Sequence, residues 1–388
     1  MSTGLDALVK CDFAPLRGKR VGLVTHPAAI DGQFRTALEL FAQRVNLVAV
    51  FGPEHGITGE AQDLIPVVSG GDGPVRVHSL YGDTFDSLKP TAEMLDGLDV
   101  LVIDLVDIGS RYYTFQATML YCLEACAAVS LPVVVLDRPN PTGLIDVEGP
   151  TVRPGFESFV GVHPICTRHG MTIGELAKLY QAERVPGVDL TVIPCHATRE
   201  QGVFLLHPTD FAVPPSPNMP TLKTAHVYPG MCLIEGTNLS EGRGTTRPFE
   251  YVGFPDVNPN RLVERLRAAE LPGAVFLPAT FRPTFQKHAG KSCGGCLIAI
   301  DDYDEFRPVR TGLAVLIAFR ELLGDAFQWR TERYEFVDHI PAIDLLFGSD
   351  RERLAIEAGA SWQNIAAAWE REEADFRERR KPHLLYRE

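Results

Sequence analysis

Four apolar runs of strand length limit what this chain can fold into. They occupy residues 19–25, 47–51, 99–105 and 131–136. Near-continuous apolar runs of this kind belong to parallel strands buried on both faces. Helical patterns separate them at 34–41, 91–95 and 113–129, the last read as amphipathic, and a further short strand is expected at 75–79. Strands alternating with helices predict a parallel sheet covered on both sides. The fold class is therefore α/β, with a Rossmann-like N-terminal domain built on a mostly parallel sheet.

Each run delivers polar residues at its end. His26 follows the first, Glu54 and His55 the second, Asp104 and Asp107 the third, and Asp137, Arg138 and Asn140 the fourth. In open α/β sheets, ligands bind outside the carboxyl ends of the strands. Four segments thus send chemistry-bearing side chains to one edge. No G-x-G-x-x-G follows any of these strands, so nothing points to a dinucleotide, and no cofactor is expected. The sharpest stretch is Val50-Phe51-Gly52-Pro53-Glu54-His55-Gly56, an apolar strand stopped by Gly-Pro and followed by an acid and an imidazole.

The regular alternation ends near residue 150. Thr172 and Glu175 form a capping box that opens a helix, and a strand is expected at 188–194. Residues 211–254 are rich in Pro and Gly with little helical periodicity, and read as a long ordered loop of functional type. A helix at 258–270, strands at 274–281 and 296–300, and a helix at 311–323 follow. A charged C-terminal helix at 362–379 carries Ile365, Trp369 and Phe376 on a docking face. These patterns predict a Rossmann-like catalytic domain at 1–148 and a mixed α/β domain at 149–388, with the active-site cleft between them.

Composition excludes several classes. The formal net charge of −13, with no basic stripe, argues against a nucleic-acid partner. No apolar run approaches the ~20 residues of a membrane span, and the first six residues show no leader pattern. A cytoplasmic location is the expectation, with export the case if a signal peptide had been removed. The eight cysteines are scattered in mostly apolar contexts and read as buried free thiols. Cys293 and Cys296 form a lone C-x-x-C without the second pair that a zinc site needs.

In order along the chain stand Gly22-Leu23-Val24-Thr25, Gly52-Pro53-Glu54-His55-Gly56, Asp107-Ile108-Gly109-Ser110-Arg111-Tyr112-Tyr113-Thr114, Asp137-Arg138-Pro139-Asn140-Pro141, Val147-Glu148-Gly149-Pro150 and His169-Gly170-Met171-Thr172. Pro215-Ser216-Pro217-Asn218-Met219-Pro220-Thr221, Tyr228-Pro229-Gly230, Glu235-Gly236-Thr237-Asn238 and Gly242-Arg243-Gly244-Thr245 follow. This set resembles the exo-β-N-acetylmuramidase (NamZ-like) family of glycoside hydrolases, formerly a domain of unknown function. The resemblance implies a two-domain fold with a cleft, and release of terminal β-linked N-acetylmuramic acid (MurNAc) from peptidoglycan fragments in cell-wall turnover. The partner it implies is a small amino-sugar substrate. One departure stands out: Val106 occupies a position where the family pattern leads us to expect Gln.

Glycoside hydrolysis uses two carboxyl groups, about 5 Å apart for retention and about 6.5–9.5 Å apart for inversion. Glu54, at an apolar strand end, is the candidate general acid, with His55 beside it to orient it or touch substrate. The second carboxylate stays open. Asp104 and Glu235 lead, and Asp107, Glu148, Glu241 and Glu250 compete. The lactyl carboxylate of MurNAc calls for a guanidinium, for which Arg111, Arg138 and Arg243 are candidates. Tyr112, Tyr113 and Tyr228 are candidates for stacking on sugar faces, and Asn140, Asn218 and Asn238 for the hydroxyl and N-acetyl groups. His26, Asp107 and His169 complete the candidate binding set. Two alternatives remain at this level: a non-catalytic binder of muropeptides, and a metal-dependent hydrolase using His26, His55, Asp104, Asp107 and His169. No metal is expected, because no ligand pair has the i, i+4 spacing of zincins.

Overall fold

The computed structural model describes residues 3–62, 65, 75–195 and 211–386. The first sheet has six strands: β1 (Arg20–Thr25), β2 (Asn46–Gly52), β3 (Arg76–Ser79), β4 (Val100–Asp104), β5 (Val133–Leu136) and β6 (Leu190–Ile193). All pair in parallel, in the order β3-β2-β1-β4-β5-β6. This is the doubly wound Rossmann order, with its switch point between β1 and β4. The helices among these strands are α1 (Gly4–Lys10), α2 (Ala37–Arg44), α3 (Ala92–Leu95), α4 (Phe115–Ala128) and α5 (Ile173–Glu183).

Side chains alternate across the sheet, as strand geometry requires. Val21, Leu23, Val100, Val102, Val134 and Leu136 pack on one face with Leu5 and Leu8 of α1 and Leu40 and Phe41 of α2. Val24, Phe51, Leu101, Ile103, Val133 and Val135 pack on the other with α4 and α5. The sequence pattern misses α1, whose Thr3 and Asp6 form a capping box. It also expects α4 to be amphipathic. Instead α4 is buried on nearly every side, because the second domain covers the face that water would otherwise take.

The second sheet has three antiparallel strands, β7 (Tyr251–Pro255), β8 (Ala274–Phe281) and β9 (Cys293–Ile300), in the order β7-β9-β8. Around it lie α6 (Leu222–Met231), α7 (Pro259–Ala268), α8 (Pro308–Leu323), α9 (Ala342–Phe347), α10 (Arg351–Glu357), α11 (Trp362–Ala367) and α12 (Glu370–Arg380). The boundary expected at 148 does not separate the two sheets, since β6 lies beyond it and joins the first. Nor is there a gap in the core. One apolar cluster runs from Ile103 and Leu120 to Leu233, Leu313, Phe347 and Trp369.

Two elements depart from the sequence expectation. The stretch read as a loop at 211–254 contains α6, with Pro229 inside it. Tertiary contact overrides the turn signal of Tyr228-Pro229-Gly230. A Cβ on Gly230 would stand 1.8 Å from the carbonyl oxygen of Pro308, and one on Gly312 would stand 2.2 Å from the carbonyl oxygen of Gly230. The paired glycines let α6 and α8 touch backbone to backbone. The C-terminal helix expected as one piece is two, α11 and α12, with Trp369 buried at the junction. Its predicted docking residues Ile365, Trp369 and Phe376 are all buried.

All eight cysteines are free, and seven are buried. The C-x-x-C opens β9, the central strand of the second sheet. Cβ atoms on Gly294 and Gly295 would each lie 1.9 Å from a carbonyl oxygen, of Val257 and Val252 respectively, so these glycines serve backbone approach.

Candidate active site

The switch point between β1 and β4 is filled by the protein itself. His26, just past β1, accepts a hydrogen bond at Nε2 from the Val106 amide at 3.0 Å. Burial pushes its pKa down to about 3, with the nearby Arg138 charge adding to the effect, so the ring is neutral. Asp104 and Arg138 form a bidentate pair (2.5 and 2.9 Å), and Arg138 also donates to the Ile30 carbonyl at 3.2 Å. A crevice that holds nucleotide phosphates in dinucleotide-binding relatives of this topology is here closed by side chains.

The open site lies one strand over, where β2 ends. Gly56 donates to the Pro53 carbonyl at 2.9 Å, closing a turn with Glu54 and His55 at its centre. His55 takes φ +71°, a left-handed conformation unusual for a residue with a side chain. Its Nδ1 contacts the Ala61 carbonyl at 2.8 Å, which anchors the strained turn. The turn presents Glu54 to a cleft lined by aromatic and charged side chains. Thr114, immediately before α4, donates from its hydroxyl to Glu54 Oε2 at 2.5 Å.

The cleft is walled by Tyr112, Tyr113, Phe115, Tyr228, Phe249 and Tyr334. Five of these rings pack edge to face, Tyr113 on Phe115 (5.0 Å), Tyr112 and Tyr113 each on Tyr228 (5.9 Å) and Tyr228 on Phe249 (4.8 Å). Burial pushes the Tyr113, Tyr228 and Tyr334 hydroxyls well above their ordinary pKa, so they act as hydrogen-bond groups and not as anions.

The second domain contributes Glu235, Arg243 and Glu335 to the lining. Arg243 donates to Glu235 Oε1 at 2.5 Å, and the Tyr334 hydroxyl donates to Glu235 Oε2 at 2.7 Å. Burial alone would raise the Glu235 pKa, but the Arg243 charge and these hydrogen bonds outweigh it and hold the carboxyl below its usual range. Arg243 also stands 3.3 Å from Glu241 and stacks over the Phe249 ring, 4.9 Å from its centroid. Asn218 reaches the lining too, donating to Gln62 at 2.7 Å beyond the Glu54 turn.

The structure therefore gathers Glu54, His55, Tyr112, Asn218, Glu235 and Arg243 into one cleft. It places the other sequence candidates elsewhere. Asp104 and Arg138 are consumed by each other. Arg111, wholly buried, donates to the carbonyls of Pro150 (2.6 Å), Ile165 (3.1 Å) and Leu346 (2.6 Å). Asp107 accepts from the Gly109 amide at 2.7 Å and stands 3.2 Å from His169 Nε2. Asn140 braces a turn through Thr142 and the Met171 carbonyl. Asn238 bonds Gln328 and the Ala326 carbonyl. Of the competing acids, Glu148 shares Arg310 with the structural Glu373, Glu241 meets Lys287, and Glu250 meets Lys223 and Arg247. Val106 is not among the lining residues.

Sequence reasoning misses Thr114 and Ser216 as individual contacts, although both lie in quoted motifs. It misses Tyr334 and Glu335 altogether. Their segment, Arg333-Tyr334-Glu335-Phe336-Val337, carries no Gly or Pro punctuation to mark a turn.

A Rossmann-like sheet without a free nucleotide crevice, fused to a second α/β domain around a cleft with carboxylates from both, has the architecture of a two-domain glycoside hydrolase. Comparison with known proteins makes this specific. The model of the exo-β-N-acetylmuramidase NamZ N-terminal domain matches residues 21–223, and that of the NamZ C-terminal domain matches residues 226–386. The chain is 41% identical over 390 residues to the peptidoglycan β-N-acetylmuramidase NamZ of Bacillus subtilis (strain 168), covering all of this chain and 91% of that protein. Two solved DUF1343 family proteins of Bacteroides fragilis NCTC 9343 superpose with TM-scores of 0.87 and 0.78, at 30% and 32% identity. Each match covers 100% of this chain and 99% of the other. The chain belongs to the exo-β-N-acetylmuramidase NamZ family, and so to the glycoside hydrolases.

Proposed function

We propose that this chain removes terminal β-linked N-acetylmuramic acid from peptidoglycan fragments, with Glu54 as the proton donor to the departing glycosidic oxygen. The observation that carries the reading is the meeting of Glu54 from the first domain with Glu235 and Arg243 from the second in one aromatic-walled cleft. Glu54 sits 6% exposed at the centre of a tethered turn, with one carboxyl oxygen held by Thr114. Such fixing keeps the acid within reach of a bound glycosidic oxygen.

Arg243 is the guanidinium of the lining and is our assignment for the lactyl carboxylate. Arg111 and Arg138 have their donors committed to carbonyls and to Asp104. The tyrosine faces suit stacking on a pyranose ring, and Asn218 suits the N-acetyl group. Eight free thiols fit a reducing compartment, which supports a role in intracellular recycling of wall fragments.

The test is turnover of a MurNAc-terminated disaccharide beside its GlcNAc-terminated counterpart. Wild type should cleave the first, and Glu54→Gln should lose about 10²–10⁴-fold in kcat with its melting temperature kept. A fully active Glu54→Gln would remove Glu54 from the mechanism. Among the described residues, no helix is long and apolar enough to cross a membrane.

A further inference from the structure

We propose that Thr114 is a positioning residue that fixes which oxygen of Glu54 carries the proton for the departing group. The proposal rests on reading the cleft as the muramidase site. Thr114 donates its one hydroxyl proton to Glu54 Oε2 at 2.5 Å, and both residues line the cleft. No other hydrogen bond reaches Glu54 from the described residues. Oε1 is nonetheless not among the side-chain atoms sealed away without a partner, so it opens to the cleft. A carboxylic acid can carry its proton on either oxygen. On Oε2 the proton would point at the Thr114 oxygen, away from a bound sugar. A hydroxyl that donates to Oε2 takes a lone pair there, holds it as the carbonyl oxygen, and leaves the proton on Oε1.

The use of threonine elsewhere in the chain gives independent support. Thr3, Thr36, Thr91, Thr172 and Thr221 stand at the starts of α1, α2, α3, α5 and α6. Each has extended backbone, and each accepts at its side-chain oxygen from the amide three residues on. That is the ordinary N-cap. Thr114, at the start of α4, departs from it. Its φ of −65° and ψ of −10° are already helical, and its side chain makes no cap bond. The hydroxyl is committed to Glu54 instead. At 7% exposed, it has little water to compete for it. One helix start thus gives up a local hydrogen bond for one to a residue sixty positions away.

The bond also favours the transition state. Thr114 donates to a neutral acid before proton transfer and to a carboxylate after it, and a hydrogen bond to a charged acceptor is the stronger. An interaction that strengthens as charge develops lowers the barrier. In the step, the bond from the anomeric carbon to the glycosidic oxygen breaks, and its electron pair takes the proton from Oε1. The former O–H pair stays on Glu54 as carboxylate charge. A water oxygen bonds to the anomeric carbon, and the proton that this water gives up replaces the one Glu54 spent. Thr114 keeps its own proton throughout.

The test compares a MurNAc-terminated disaccharide, whose sugar leaving group needs a proton, with a dinitrophenyl β-MurNAc, whose phenolate departs without one. The readout is kcat/KM, which covers the steps up to departure of the leaving group. In Thr114→Val and in Thr114→Ala, the disaccharide-to-aryl ratio of kcat/KM should fall about 10–100-fold, the scale of one hydrogen bond to a charged group. Thr114→Ser keeps the donor and should hold the ratio within about three-fold of wild type. An unchanged ratio in Val and Ala, whether both substrates stay fast or both slow in parallel, would overturn the role of Thr114. So would a Ser variant that behaves like Ala. A wild-type enzyme inactive on both substrates would instead overturn the muramidase reading, and this proposal with it.

Discussion

Replacing Arg111 by Met separates a structural cation from a ligand-reading one. By its motif position Arg111 is a candidate partner for the lactyl carboxylate, yet its guanidinium donates to three backbone carbonyls, Pro150, Ile165 and Leu346. The first two lie between β5 and β6 of the Rossmann sheet and the third belongs to α9, so the side chain staples the two halves of the fold. Hydrogen bonds to a charged group contribute about 1.5–3 kcal/mol each. Against this stands the cost of burying the guanidinium without a carboxylate partner, a burial that pushes its pKa down. Met restores the volume, recovers that desolvation cost and takes the guanidinium from three carbonyls, of which Pro150 keeps only a 3.5 Å contact from the Thr167 hydroxyl, for a net loss of about 3–5 kcal/mol. At about 2.1 cal/mol/K per residue, the unfolding entropy of 388 residues is near 0.8 kcal/mol/K. A loss of about 4 kcal/mol then lowers Tm by about 5 °C. The assay is a thermal melt paired with KM for a MurNAc-terminated substrate on the folded variant. Tm should fall while KM stays within about two-fold. An unchanged Tm with a KM raised about ten-fold or more would refute the structural assignment and return Arg111 to the ligand.

Two further outcomes follow from the site and the core. Arg243→Lys keeps the charge but loses the planar fork, so KM for a MurNAc-terminated substrate should rise about 10–100-fold, with little change for a substrate lacking the lactyl group; equal effects on both would remove Arg243 from lactyl recognition. His26 and His226 are both buried and held near pKa 3, below the unfolded value of 6.5, so the unfolded chain binds protons that the folded chain refuses. Their contribution is fully present above pH 6.5 and is lost as pH falls toward 3. Tm should therefore drop measurably between pH 7 and pH 5, before most carboxylates titrate; a flat Tm over that window would contradict the assignment.

The strand-end logic that placed Glu54 depends only on local pattern. Val50-Phe51 followed by Gly52-Pro53 must leave the sheet, and the next residues must lie at its carboxyl edge. The parallel sheet, the capping box at Thr172 and the buried docking residues Ile365, Trp369 and Phe376 were legible in the same way. The motif set carried family and activity, since nine or more short segments in order constrain each other.

Which strand ends remain open is a different matter. His26, Asp104 and Arg138 satisfy every sequence criterion that Glu54 does, and they close the switch point against each other. Pairing across 34 residues between Asp104 and Arg138 is set by strand order, which no local pattern encodes. The helix α6 appears where Pro229 and Gly230 signal a turn, because contact with α8 outweighs local propensity. Glu335 is the sharpest case. Its segment lacks turn residues, and its neighbours Tyr334 and Phe336 are anchored about a hundred and about 250 residues away, at Glu235 and Tyr81. Sequence alone determined the sheet, the family and the place of Glu54 at a strand end, because those follow from short-range pattern. Only the tertiary structure decided which charges are spent on the fold and which face the cleft, because burial and pairing depend on residues distant in the chain.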